Sequence, residues 1–256
     1  MTPETLPYDA PIFAPPSHPT PDKRIAPWQH TVAVILLLVG WAVGGHATSR
    51  MMPGRAHWVT YLSSIMMQWM LLGTCVAGVY GRGEFFARTL RQNARRWDFE
   101  ILRGIGLYFC LLLIFGTGGA LLRRMAPRAG FDSTRVHAMM PTNHWELAMW
   151  AFVAFSAGFC EEHVFRGYLL RQAIAWGERL GAPRLVSMAV SAVATSVLFG
   201  SLHLYEGFGG AILITLLGIA FCAVSLKTGN LRVVIVAHFL QDFIAVIAMM
   251  SHHAPR

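Results

Sequence analysis

The residues best suited to chemistry lie together in residues 158–167, where Glu161, Glu162 and Arg166 interrupt a run that is otherwise mostly apolar from 147 to 170. Ionisable side chains inside such a run are costly unless they pair or line a cavity, so they indicate function. On a helix, Glu162 and Arg166 are four residues apart and can meet on one face. Glu161 points about 100° away from Glu162. The spacing therefore predicts one carboxylate held by the arginine and one free to react.

Two later apolar runs carry further polar residues. His203 ends one of them, while His238 and Asp242 lie in another, four residues apart and so on one helix face. If the helices pack around one cavity, these side chains converge with Glu161. Such a set suits general-base activation of water. It equally suits a divalent metal such as Zn²⁺, with Glu161, His203, His238 and Asp242 as the ligands, and the residues leave both alternatives open.

The elements that position these residues are apolar helices. Of the 256 residues, 55% are hydrophobic and 13% are charged, whereas about a quarter of the residues of a soluble domain are charged. The apolar residues are bunched into long runs, which is typical of a multi-pass helical membrane protein. The runs are 31–45, 58–80, 101–122, 147–170, 185–204, 209–226 and 231–250. The predicted fold is all-α, a transmembrane helical bundle of about seven spans.

The charge distribution indicates a membrane protein and not a nucleic-acid-binding one. The formal net charge is +8, but the arginines lie between the apolar runs, where they set topology and contact anionic lipid headgroups. No nucleic-acid-binding module is evident. The basic cluster between Arg82 and Arg103 favours a cytoplasmic N-terminus. Residues 1–29 are polar and rich in proline, so we expect a disordered N-terminal tail.

Three motifs in these runs resemble the signature of a known family. They are Glu161-Glu162-x-x-x-Arg166, Phe199-x-x-x-His203 and His238-x-x-x-Asp242. Their order, each in its own apolar run, is similar to that of the CPBP family of intramembrane proteases. That family includes the CAAX prenyl endopeptidases and the bacteriocin-processing or immunity proteins called Abi. The resemblance implies that 141–256 form a catalytic transmembrane domain, preceded by N-terminal transmembrane helices in 30–140.

The resemblance also implies a role for each motif residue. Glu161 would be the general base that activates the attacking water, with His203 sharing that water. Glu162 and Arg166 would form a supporting pair, and His238 with residue 242 would stabilise the oxyanion. The family often has Asn where this chain has Asp242, and an ionised Asp cannot donate a hydrogen bond to an oxyanion. Asp242 is therefore protonated, orients His238 or binds a metal.

These features predict an intramembrane endopeptidase, either glutamate-type or metal-assisted, that is similar to the CAAX proteases. Its expected partners are the lipid bilayer and a membrane-associated or lipidated peptide or protein substrate. Its expected location is the bacterial inner (plasma) membrane. One alternative is a non-enzymatic immunity or assembly protein of the same fold. Another is an ion-coupled transporter, which predicts related halves in the sequence, and none are evident.

One conflict arises from simple alternation of the spans. His203 falls near the far end of the fifth run, whereas His238 falls near the start of the seventh. Straight helices would place the two imidazoles at different depths in the membrane. A broken fifth helix, or a re-entrant segment at 207–210, would bring them together. Tyr205 and Glu206 follow His203 closely, and we expect them to line the same cavity.

Overall fold

A computed structural model of the chain describes residues 26–51, 56–79, 96–126, 130–132 and 134–253. This part of the chain is helical and contains no strand, which confirms the predicted all-α fold. Most of the predicted disordered tail, and the basic segment 82–95, lie outside the described residues.

The helical segments coincide with the seven predicted apolar runs. They are α1 Trp28–Met51, α2 His57–Val79, α3 Trp97–Met125, a short α4 Thr134–His137, α5 His144–Ser156, two π-helical segments Ala157–Glu161 and His163–Leu169, α6 Leu170–Arg179, α7 Arg184–Leu202, a 3₁₀ turn Leu204–Glu206, α8 Gly207–Thr228 and α9 Arg232–His253. By length and composition, α2, α3, α7, α8 with the preceding 3₁₀ turn, and α9 up to Met250 can each cross a membrane, and Trp28–Gly44 is a shorter apolar helix. The chain is an integral, multi-pass membrane protein.

The helices expose apolar side chains and bury several polar ones. Large apolar residues such as Leu36, Leu113 and Val190 are exposed, as expected for surfaces that face lipid tails. Glu162 and Arg166 are instead almost completely buried. Polar residues at membrane depth usually face the interior of a bundle, so the fold brings its ionisable side chains together and away from lipid.

Small residues allow the site-bearing helices to approach closely. A Cβ atom on Gly158 would lie 2.9 Å from the backbone nitrogen of Phe239 and 3.0 Å from the carbonyl oxygen of Ile235. Only a glycine permits this separation without a shift of α9. Small residues at helix contacts are the usual means of close packing in membranes. Gly158 therefore sets how near α9 lies to the turn that carries Glu161 and Glu162.

The helix that carries the two glutamates is widened at that point. α5 continues into the π-helical segments Ala157–Glu161 and His163–Leu169 before normal α-helix resumes at Leu170. A π turn contains more residues than an α turn, so it rotates the side chains that follow it relative to a regular helix. Such turns are frequent at functional sites.

Contacts from α2 secure the start of this helix. His57 Nδ1 lies 2.9 Å from a carboxylate oxygen of Glu146, and the Tyr61 hydroxyl donates to the carbonyl of Met139 at 2.6 Å. The Asn143 side chain caps the first turn of α5 by accepting from the backbone nitrogen of Glu146. α2 and the Asn143 cap thus hold the start of the site-bearing helix in place.

The chain turns sharply directly after His203. This residue ends α7, the 3₁₀ turn Leu204–Glu206 follows, and Gly207 begins α8 with φ +84°. A Cβ on Gly207 would lie 2.5 Å from the carbonyl oxygen of Gly130, so glycine is required by both conformation and space. Two main-chain hydrogen bonds of 2.8 Å, from Asp132 to Glu206 and from Gly209 to Gly130, fasten the turn. A sharp turn, not a straight helix, therefore carries His203.

Candidate active site

A buried ion pair forms the foundation of the site. Arg166 Nη1 donates to Glu162 Oε1 at 3.0 Å, and both side chains are almost inaccessible to solvent. The guanidinium also lies 4.6 Å from the ring centre of Phe199 and 5.4 Å from that of Phe221, with Nη2 3.4 Å from the carbonyl oxygen of Gly218. Aromatic faces and a carbonyl thus surround the cation. This is the pair that the four-residue spacing predicts.

The same carboxylate also binds His238. The distance from His238 Nδ1 to Glu162 Oε1 is 2.8 Å. Because a carboxylate can only accept, Nδ1 carries the hydrogen. Glu162 Oε1 therefore accepts from both Arg166 and His238, and it links helices that are 76 residues apart in sequence. The sequence predicts the pairing of Glu162 with Arg166 but not the contact of Glu162 with His238.

The other nitrogen of His238 faces two further carboxylates. Nε2 lies 3.6 Å from Asp242 Oδ2 and 4.0 Å from Glu161 Oε2. Both separations exceed a hydrogen bond. The Glu161 side chain is 24% exposed, whereas that of Glu162 is 0% exposed. Glu162 is thus hydrogen-bonded to buried partners, whereas the carboxylate of Glu161 reaches a more open space in front of His238.

Glu161 has a neighbour that the motifs do not include. Gln68 Nε2, on α2, lies 3.4 Å from Glu161 Oε1 and donates to it. Sequence reasoning missed Gln68, although the rule that drew attention to Glu161 applies to it: it is a polar side chain in the middle of the apolar run 58–80. Gln68 lies about 90 residues before the first motif, so the motifs alone do not predict its contact with Glu161.

His203 approaches the site from the turn after α7. Its Nδ1 lies 2.8 Å from the carbonyl oxygen of Phe199 and donates to it, so the Nε2 lone pair is free in the neutral imidazole. His203 lies within electrostatic range of Asp242 and Glu206, and Tyr205 lies within range of Glu161 and Asp242. The turn therefore brings His203, Tyr205 and Glu206 to the side of the site that contains Asp242.

The predicted site residues are therefore gathered in one region. Glu161, Glu162, Arg166, His238 and Asp242 form a chain of contacts, and His203 lies beside Asp242. As for metal binding, no three His, Cys, Asp or Glu side chains among the described residues form a group that could hold a metal ion. The arrangement supplies the partly exposed carboxylate of Glu161, the oriented imidazoles of His203 and His238, and the carboxylate of Asp242. Carboxylates and imidazoles can transfer protons, and a protonated imidazole can donate to an oxyanion.

A cluster of carboxylates and imidazoles among apolar helices is compatible with an intramembrane hydrolase, and a family comparison supports this class. Residues 143–244 match the family model described as type II CAAX prenyl endopeptidase Rce1-like. Over this segment, which contains the five contacting site residues and His203, the chain is similar to the CAAX protease family. This similarity supports an intramembrane protease at the level of the family.

The remaining comparisons add no relative. No curated protein and no solved structure matches the chain. The N-terminal helices α1, α2 and α3 lie outside the matched segment, so their relation to the site is known from their contacts alone.

Proposed function

We propose that the chain is an endopeptidase in which Glu161 activates water inside the membrane for attack on a peptide bond. The observation that carries the proposal is the position of Glu161 Oε2, 4.0 Å from a His238 nitrogen whose ring is fixed by the buried Glu162–Arg166 pair. One carboxylate is held as a structural anchor and the adjacent one is left to react. A network that served only to neutralise buried charge would not require the partly exposed Glu161.

The Glu162–His238 hydrogen bond gives His238 its proposed task. A carboxylate bonded to Nδ1 fixes the tautomer and the ring orientation, and it stabilises the imidazolium. The imidazolium then presents Nε2–H toward the space beside Glu161. In that form Nε2–H donates to the oxygen of the scissile carbonyl as it gains negative charge. Arg166 stabilises the ionised Glu162 and lies too deep in the protein to reach substrate.

The proposed reaction is a general-base hydrolysis. Glu161 takes a proton from water while the water oxygen attacks the carbonyl carbon, and the carbonyl electrons move to the oxygen, which accepts a hydrogen bond from His238. When the tetrahedral intermediate collapses, the carbon–nitrogen bond breaks. The proton held by Glu161 passes to the departing amine. His203, through its free Nε2, helps to hold the attacking water.

The proposed substrate is a peptide whose C-terminal region lies at the membrane. The family name specifies prenylated CAAX sequences, in which a lipid on the cysteine anchors the chain in the bilayer. Such an anchor would deliver the peptide laterally to a site enclosed by apolar helices. Farnesylated CAAX peptides are therefore the first substrates to test, with the same peptides lacking the lipid as the comparison.

The replacement Glu161→Gln tests the proposal. Because glutamine cannot accept the proton from water, we expect cleavage of a farnesylated CAAX peptide to fall roughly 10²–10⁴-fold. The variant should remain folded, because Glu161 makes only long contacts with its neighbours. Turnover by purified protein in detergent, with thermal unfolding as the check on folding, measures both.

Glu178→Gln is the matched control, because Glu178 lies on α6 in the same helical run and pairs with Arg184 away from the site. Near-normal cleavage is expected from it. A non-enzymatic immunity or assembly protein of this fold would need the helices but not the carboxylate. Wild-type turnover by a folded Glu161→Gln variant would therefore refute the proposed chemistry.

A further inference from the structure

Gln68 contacts the reactive glutamate from outside the matched segment of the chain. Its Nε2 donates to Glu161 Oε1 at 3.4 Å, whereas the carboxylate oxygen that faces His238 is Oε2. The two oxygens of Glu161 are thus distinguished by different neighbours. The orientation of the amide follows from the chemistry, since a flipped amide would place its own oxygen against the carboxylate oxygen.

The amide oxygen of Gln68 indicates what the side chain is for. This oxygen is buried and has no hydrogen-bond partner among the described residues. A buried acceptor without a partner reduces stability. A glutamine that served only to pack α2 against the bundle would be better replaced by leucine or methionine. The hydrogen bond that the amide donates to Glu161 explains why a polar side chain is buried here.

The neighbouring residue fixes the position of Gln68. Trp69 Nε1 donates to the Ser156 hydroxyl at 3.0 Å, and its ring stacks on Phe159 with centroids 5.7 Å apart. Ser156 and Phe159 lie directly before Glu161 on the same helical run. Gln68 is therefore held against the turn that carries Glu161 by an adjoining contact that does not involve Glu161.

We infer that Gln68 is a positioning residue of the active site, which holds Glu161 Oε1 so that Oε2 faces His238 and the attacking water. This inference rests on the proposed function and extends the site to α2, outside residues 143–244. Gln68 acts through Glu161, so it does not need to contact the substrate. Besides Gln68, Glu161 has charged or titratable neighbours on its own helical run and on α9, namely Glu162, Arg166, His238 and Asp242.

The test compares Gln68→Leu and Gln68→Glu with the wild-type protein over a range of pH. For Gln68→Leu we expect kcat to fall roughly tenfold, as for loss of a hydrogen bond to a charged group, with little change in KM. The acidic limb of the kcat/KM profile should move to higher pH, because the ionised carboxylate has lost a donor. Gln68→Glu should move it further, since a second carboxylate would then lie beside Glu161. A purely structural defect would lower activity without displacing the limb.

The control is Gln29→Leu, the same change at an exposed position of α1, for which a wild-type profile is expected. A Gln68→Leu enzyme with wild-type kcat and an unmoved limb would overturn the inference while leaving the proposed function intact. If the wild-type protein cleaves no peptide, or Glu161→Gln cleaves normally, the proposed function fails instead.

A double-mutant cycle on thermal unfolding tests the contact independently of activity. Gln68→Leu and Glu161→Leu are measured singly and together in detergent, because a glutamine at position 161 would still accept from Gln68 through its amide oxygen. Coupled effects, with the double variant differing from the sum of the two, are expected for side chains in contact. Additive effects would overturn the inference whatever the activity measurements show.

Discussion

Adjacent residues of the same type have different environments in this site. Glu162 is completely buried and accepts hydrogen bonds from Arg166 and His238, whereas Glu161 is 24% exposed and has only longer contacts. Two histidines are oriented in the same way, since His203 and His238 each use Nδ1 as a donor. Their Nε2 atoms are left available. The identity of the partner, more than the residue type, therefore separates supporting from reactive groups.

The role of Asp242 can be tested by changing its charge and its hydrogen-bonding capacity separately. Its carboxylate lies 3.6 Å from His238 Nε2, so the ionised side chain can orient and stabilise the imidazolium but cannot donate to an oxyanion. We predict that Asp242→Asn retains activity within a few-fold of wild type. The asparagine loses the negative charge, but its amide gains an N–H group that can donate a hydrogen bond. Asp242→Leu should lose roughly 10²-fold, because His238 loses a group that orients its ring and a misplaced reacting group is costly.

Steady-state cleavage of a farnesylated peptide by the two variants checks this prediction, with thermal unfolding as the measure of folding. Equal losses in the Asn and Leu variants would show that the negative charge itself is required. Wild-type rates in both would remove Asp242 from the site altogether.

The residue-level predictions from the sequence succeeded where the partners are close in the chain. The pairing of Glu162 with Arg166 follows from helix geometry, because residues four apart share a face. The hydrogen bond between Glu162 and His238 joins residues 76 positions apart, and no local rule specifies it. The same holds for Gln68, whose contact with Glu161 depends on how α2 packs. The roles assigned to Glu161, His203 and Asp242 stay predictions.

At the scale of the elements, the site depends on two departures from regular helix. The π-helical segments around Glu161 and Glu162 widen one helix, and the turn at Gly207 ends another directly after His203. Apolar periodicity predicts the helices themselves but not these irregularities, because a hydrophobic run looks the same whether it is straight, widened or broken. The conflict in depth between His203 and His238 was the one sign in the sequence that such a break was needed.

The close crossing of α9 at Gly158 yields a prediction at this scale. Gly158→Ala places a methyl group 2.9–3.0 Å from backbone atoms of α9, so α9 must shift away from the two glutamates. We expect a loss of about 1–3 kcal/mol in the free energy of unfolding, as for other overpacked cores. Activity should fall by up to roughly 10²-fold, because small displacements of reacting groups are costly.

Gly106→Ala is the control for this measurement, because a Cβ at Gly106 on α3 would meet nothing within 4 Å. Unfolding followed in detergent should show no loss for this variant. A Gly158→Ala protein as stable and active as the Gly106→Ala protein would contradict the idea that this glycine sets the separation between α9 and the site.

At the scale of the whole molecule, the composition and the apolar runs were sufficient to predict an all-helical membrane protein. The resemblance of the three motifs agrees with the family match over residues 143–244. The contribution of the N-terminal helices was not predictable, because it consists of single contacts between distant residues. His30 on α1 is an example, with Nδ1 2.6 Å from the hydroxyl of the buried Tyr168 and Nε2 3.0 Å from the carbonyl of Thr74. The cytoplasmic location of the N-terminus stays a prediction.

Metal dependence is a property of the purified protein as a whole. The proposed chemistry needs only carboxylates and imidazoles, so we predict that treatment with a strong chelator leaves peptide cleavage unchanged. Elemental analysis of the same preparation should find less than one equivalent of zinc or other transition metal. Loss of activity on chelation, with recovery on adding back one metal, would instead favour the metal-assisted mechanism with Glu161, His203, His238 and Asp242 as candidate ligands.

The local nature of the Glu162–Arg166 pair has a consequence for how this protein is made. The two residues lie one helical turn apart, so their charges can cancel as soon as that helix forms. The segment can therefore enter the bilayer as a neutral unit at reduced cost. α9, synthesised later, docks His238 onto a carboxylate that is already compensated. Neither Glu162 nor Arg166 therefore has to remain as an isolated ion in the membrane until α9 has been synthesised.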